Sequence, residues 1–162
     1  MSLPQEIRRL WESLEGRGIL GQRVVRGLTA IGAGGRLNLF TITGGEILLT
    51  VLYGVCTTAE TGGANNATFD ATPTTGGALS PMSSATAFGA AAIGDMLCPQ
   101  GGLALPAHPA AGYSGAMPTM WMPWICKVGS IGVTKSAATG NSVWRWVLCY
   151  IPLTLGAVVT PT

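Results

Sequence analysis

The residues with the most chemistry to offer in this 162-residue chain are four cysteines, one histidine and seven carboxylates. Cys56, Cys98, Cys126 and Cys149 are widely spaced, with no CxxC pair and no Cys-His pairing of the kind that holds zinc. Cys56 and Cys149 fall inside apolar runs, where a free thiol behaves as a small buried hydrophobe. His108 stands between Ala107 and Pro109 with no acid or nucleophile nearby, so a histidine-dependent triad lacks its partners. Glu46, Glu60, Asp70 and Asp95 show neither a paired-carboxylate nor a calcium-loop spacing. Gly16, Gly18 and Gly21 spell GxGxxG, but they follow a helical pattern and no βαβ unit surrounds them, so no dinucleotide site is expected. Asn66-Ala67-Thr68 matches a glycosylation sequon by chance in a polar loop. These residues predict no enzyme: no catalytic residue, no cofactor and no metal.

One cluster suits binding better than catalysis. Met117, Met120, Trp121, Met122 and Trp124 lie among Pro118 and Pro123, so they cannot all pack along one regular strand. Two Trp and three Met in an irregular segment predict a subunit interface, with Met120, Trp121, Met122 and Trp124 as its contacts.

The elements that must carry these residues are mainly strands. Leu37–Thr43 is rich in apolar and β-branched residues, Gly44-Gly45 offers a hairpin turn, and Glu46–Thr57 reads as a long strand. In that strand Ile47, Leu49, Val51, Tyr53 and Val55 are predicted to point one way, with Leu48 and Leu52 pointing the other. Trp124–Thr134 reads as a strand broken at Gly129. Val143–Ile151 alternates most clearly, with Trp144, Trp146, Leu148 and Tyr150 on one face, before Pro152 ends the pairing. Residues 58–123, dominated by Thr, Ala, Gly and Pro, read as a loop-rich insertion, with a short helix or small-residue strand over 85–96. At the amino end Leu3, Ile7, Leu10, Trp11 and Leu14 recur at helical spacing, capped by Ser2 and ended by Gly16. This helix is too short to be stable alone and needs a dock, its own sheets or a neighbour, so its apolar stripe joins the predicted interface. The predicted organisation is an amphipathic helix and extended arm over 1–36, then a β domain over 37–162. The fold class expected is mainly β, an antiparallel sandwich of jelly-roll-like kind.

Composition points to assembly. The chain is 48% hydrophobic and only 10% charged, against about 25% charged in an ordinary soluble domain. Six of its nine basic residues (Arg8, Arg9, Arg17, Arg23, Arg26, Arg36) precede residue 37, but Glu6, Glu12 and Glu15 are interleaved, so DNA binding is not expected. The longest apolar run, Ile47 to Cys56, is too short for a membrane helix of about 20 residues, and no membrane partner is expected. The first thirty residues are charged throughout, so synthesis in the cytoplasm is expected.

Two segments carry a resemblance: LFTITGGEILLTVLYGVCTTA at 39–59, and TGNSVWRWVLCYIPLTLGAVV at 139–159. The carboxy-terminal segment is similar to a pattern of TG, an alternating strand holding a Trp, then Y-x-P-L-x-x-G-A-x-V. Both resemble a family of tailed-bacteriophage virion proteins found among capsid-decorating and other structural subunits. The resemblance implies a compact β domain on the capsid surface of the virion, made in the host cytoplasm and lacking an active site. It implies a homo-oligomer, by preference a trimer, that binds the major capsid protein and cements the head by bridging capsid subunits, with the amino-terminal arm clamping a neighbour. The alternative is a tail- or fibre-associated module that binds a host receptor or carbohydrate.

Overall fold

A computed structural model of the chain describes residues 21–32, 34–61, 65–75, 77–83, 85–87, 91–99, 124–136 and 140–162. Within these the regular elements are all strands: β1 (Gln22–Ile31), β2 (Gly35–Thr43), β3 (Ile47–Thr58), β4 (Asn66–Pro73), β5 (Ser80–Pro81), β6 (Thr86–Ala87), β7 (Met96–Leu97), β8 (Trp124–Cys126), β9 (Gly129–Lys135), β10 (Ser142–Pro152) and β11 (Val158–Pro161). They pair antiparallel into two sheets. Sheet I has the order β1-β10-β3-β7, with β8 also pairing β3, and sheet II has the order β11-β2-β9-β4-β5, with β6 also pairing β4. Both contribute to one hydrophobic core. There Phe69 of sheet II meets Trp146 of sheet I edge-on at 5.8 Å, and Trp146 stacks on Trp144, also at 5.8 Å.

The β10 alternation holds as the sequence predicts: Trp144, Trp146, Leu148 and Tyr150 are buried in the core. Gly54 of β3 lies beneath the Trp146 ring, where a Cβ would fall 2.5 Å from the indole. Along β3 the predicted faces change partway. Its register against β10 slips by one residue between Leu49 and Val51, leaving Thr50 as the extra residue of a bulge. A bulge inverts every side chain beyond it, so Leu52, Gly54 and Cys56 join Ile47 and Leu49 inside, while Val51, Tyr53 and Val55 turn outward with Leu48.

Three further expectations are corrected. Gly44-Gly45 does not close a hairpin, because β2 belongs to sheet II and β3 to sheet I. Gly44 (φ 73°) instead turns the chain from one sheet to the other, against the Gly156 carbonyl, where a Cβ would clash at 2.1 Å. The arm expected over 16–36 is, from Gln22, the edge strand of sheet I, paired with β10 from Gln22↔Tyr150 to Ile31↔Ser142. Its alternation is hidden by a bulge between Arg26 and Thr29. The insertion expected over 58–123 contains β4, flanked in sheet II by β9 and β5. Its inward residues Ala67, Phe69 and Ala71 are mostly too small to register as an apolar face. Over 85–96 the described residues hold only the two-residue strand β6 and the first residue of β7, and no helix. The break at Gly129 is a change of sheet, β8 lying in sheet I and β9 in sheet II.

The segment Tyr150–Val159 is a corner of the same kind, carrying the chain from β10 to β11. Tyr150 Oη donates to Gln22 Oε1 at 2.6 Å and accepts from the Val159 amide at 3.3 Å, tying β1, β10 and β11 together. Pro152 is the last residue of β10, Leu153 N bonds to the Glu46 carbonyl, Gly156 has φ 88°, and Ala157 and Val159 re-enter the core.

Candidate interaction surface

The chemically capable side chains that the structure places are mostly sealed inside. Where the ends of β1, β9 and β10 meet, Lys135 Nζ donates to the Gly140 carbonyl at 2.9 Å and, at 3.4 Å, to Glu60 Oε2 and the Ile31 carbonyl. Ser142 Oγ donates to the same carboxylate at 2.7 Å and accepts from Trp144 Nε1 at 2.7 Å. Both members of this ion pair have fully buried side chains, so a substrate has no route to it. Its role is structural: the hydrogen bonds match the charges and fix how the two sheets close at this end.

All four cysteines are buried free thiols. Burial pushes Cys126 up to about 11. Cys56 also rises to about 11, through burial and the nearby Asp95 and Glu60 charges, against which a hydrogen bond to the Thr58 backbone works. Cys149 is raised by burial, with Arg23 pulling the other way. Such thiols are poor nucleophiles near neutral pH. Among the described residues no group of three or more His, Cys, Asp or Glu side chains is placed to hold a metal ion. Among the described residues no helix is long and apolar enough to cross a membrane.

The surfaces remain. Sheet II turns Arg36, Asn38, Thr68, Asp70, Thr72, Ser130 and Thr134 outward. Arg36 lies across Gly132 to reach Asp70, Nε to Oδ1 at 2.5 Å, while Thr134 Oγ1 donates to Asp70 Oδ2 at 3.1 Å and Arg36 also bonds Asn38. On this face Arg36, Asn38, Asp70 and Thr134 bond to one another, while the Thr72 hydroxyl is buried with no hydrogen-bond partner.

Sheet I is the opposite. Its register places Val25, Val147 and Tyr53 in one outward row, Arg23, Cys149 and Val51 in the next, and Ile151, Leu48 and Ile125 in a third. Ile125 is 65% exposed, and Val25 and Ile151 are exposed at the rim. The patch continues onto the β10–β11 corner, where Leu153 is half exposed and Leu155 fully so. Val147, Val51 and Cys149 at the middle of the face are buried, so the exposed apolar residues are those of its rim and of the corner, where large aliphatics mark a candidate interaction site.

Of the residues predicted as interface, Leu3, Ile7, Leu10, Trp11, Leu14, Met120, Trp121 and Met122 lie outside the described residues, as does His108. Trp124 is placed: it is half-buried and packs against the core. Its neighbour Ile125 turns outward in its stead. Sequence reasoning misses Ile125, Ile151, Leu153 and Leu155 because strand residues in an apolar run look like core until the partner strands show which face is covered. The alternation itself, with Val147, Cys149 and Ile151 opposite the core-facing Trp144, Trp146 and Tyr150, is the signal that could have found them. No protein-family model, curated protein or solved structure matches the chain.

Proposed function

We propose that this chain is a structural subunit of a tailed-bacteriophage virion, a jelly-roll-like β-sandwich that decorates or cements the capsid as a homo-oligomer. The observation that carries the reading is the apolar corner of sheet I, with Leu155 fully exposed beside Leu153 and the Ile125–Ile151 row, on a chain whose cysteines and Glu60–Lys135 pair are buried. Obligate assembly surfaces resemble a domain core cut in two, and such a corner fits between subunits of a shell. The alternation of sheets supports the sandwich: β1, β2, β3 and β4 lie in sheets I, II, I and II, as do β8, β9, β10 and β11. Buried contact area favours the assembled shell by mass action, without any covalent step. The test is the number of copies per purified virion relative to the major capsid protein, by gel densitometry with a mass-spectrometric check. A ratio of one, or a simple fraction of it, is expected. A few to a few tens of copies would move the assignment to tail, fibre or vertex, and absence from virions would overturn it.

A further inference from the structure

An amine, a carboxylate and a carboxamide are buried at the end of the molecule where the two sheets close. The side chains of Lys135 and Glu60 are fully buried, and Asn65 has no exposed surface. Strand register sets Asn65 beside the lysine. Ala67 pairs with Lys135, and Asn66 stands opposite Ser136, its amide donating to Ser136 Oγ and its carbonyl accepting from the Ser136 amide, both at 2.9 Å. Asn66 is exposed, so Asn65 returns to the inner side with Ala67 and Lys135. Residues offset by two positions across an antiparallel pair stand about 7–8 Å apart, within reach of a long side chain. We propose that Lys135 and Asn65 are the reactants of an intramolecular isopeptide bond, Nζ to Cγ, with Glu60 as the proton carrier.

As an ion pair the lysine is poorly served. Its Nζ stands 3.4 Å from Glu60 Oε2, longer than the about 2.7–2.9 Å of a charge-assisted hydrogen bond, although both charges have left water. The reaction removes both charges. Glu60 Oε2 takes a proton from the ammonium, and the freed Nζ lone pair attacks Asn65 Cγ. The Nζ–Cγ bond forms, the Cγ–Nδ2 bond breaks and ammonia leaves. Of the ammonium protons one stays in the new amide, one departs on Nδ2 in the ammonia and one remains on Glu60, so no outside reactant is needed. Ser142 Oγ donates to Glu60 Oε2 at 2.7 Å and itself receives the Trp144 indole N–H at 2.7 Å, which fixes the carboxylate beside the amine. The Gly140 carbonyl, 2.9 Å from Nζ, remains as the acceptor for the new amide N–H. With water excluded, hydrolysis of the carboxamide does not compete. The bond ties the start of β4 to the end of β9 and closes a long stretch of chain, which restricts the unfolded ensemble.

The mass of the folded, full-length protein tests this directly. With the initiator Met accounted for, it should fall short of the sequence mass by one ammonia, about 17 Da, and tandem mass spectra of a digest should contain a branched peptide joining Asn65 to Lys135. A folded protein at its full sequence mass would overturn the proposal. Loss of ammonia without the branched peptide would be backbone cyclisation at an asparagine and would overturn it equally. In Glu60→Gln the ammonia should be retained, and a branched peptide formed there to the same extent would remove Glu60 from the chemistry. These measurements need only the isolated protein, so they succeed or fail separately from the virion copy number.

Discussion

Gly132 and Val147 hold corresponding places, each on a strand flanked by two others and at the middle of an outward-facing surface, and their surroundings are opposite in kind. Over Gly132 the Arg36 guanidinium reaches Asp70, and the Thr134 hydroxyl donates to the same carboxylate to complete a small polar mesh. Around Val147 stand Val25, Tyr53, Val51 and Cys149, with arginines at the edges only. The outer face of sheet II thus carries an internally bonded polar group of side chains, whereas that of sheet I is apolar at its middle and exposed only at its rim. The difference shows which outer face has side chains left to gain from contact: the one whose outward residues gain nothing from water.

The comparison breaks most directly at Asp70. Its side chain is buried, so Asp70→Ala strands the Arg36 charge and the Thr134 hydroxyl and should cost about 3 kcal/mol, measured by urea unfolding. A loss below about 0.5 kcal/mol, the range of an ordinary surface change, would mean the mesh is surface decoration. Gly132→Ala should cost about 1–2 kcal/mol, because its Cβ would lie 2.7 Å from Arg36 Cζ and displace the guanidinium. That cost should largely vanish in an Arg36→Ala background, which a double-mutant cycle would read. The smallest change belongs to sheet I. Ile125→Ser with Ile151→Ser should alter stability by no more than about 0.5 kcal/mol each while lowering self-association in sedimentation, since both side chains lie at the exposed rim. A loss above about 2 kcal/mol would place these residues in a covered core.

How much of this was legible depended on side-chain size and bulges. β10 declared itself because Trp144, Trp146 and Tyr150 alternate with smaller residues. β4 did not, although Asn66–Pro73 alternates just as strictly, because two of its inward residues are Ala67 and Ala71. β1 and β3 each contain a bulge, and one extra residue reverses the period on which sequence reading relies. Glu60, Lys135 and Ser142 were invisible as a cluster, lying on three separate segments that meet only where the two sheets close.

That this protein is mainly β, that β10 faces the core with its tryptophans, that the chain turns at Gly44-Gly45 and that charge is scarce can all be read from the order of its residues. Those properties are local, set by side-chain period, backbone freedom and composition. Strand pairing was needed to show that Gly44 and Gly156 carry the chain between sheets instead of closing hairpins, that Trp124 is packed while Ile125 is exposed, and that the two sheets have unlike outer faces. Each of these depends on which strands pair across long stretches of chain, and pairing is fixed by the joint burial of residues from both sheets in one core.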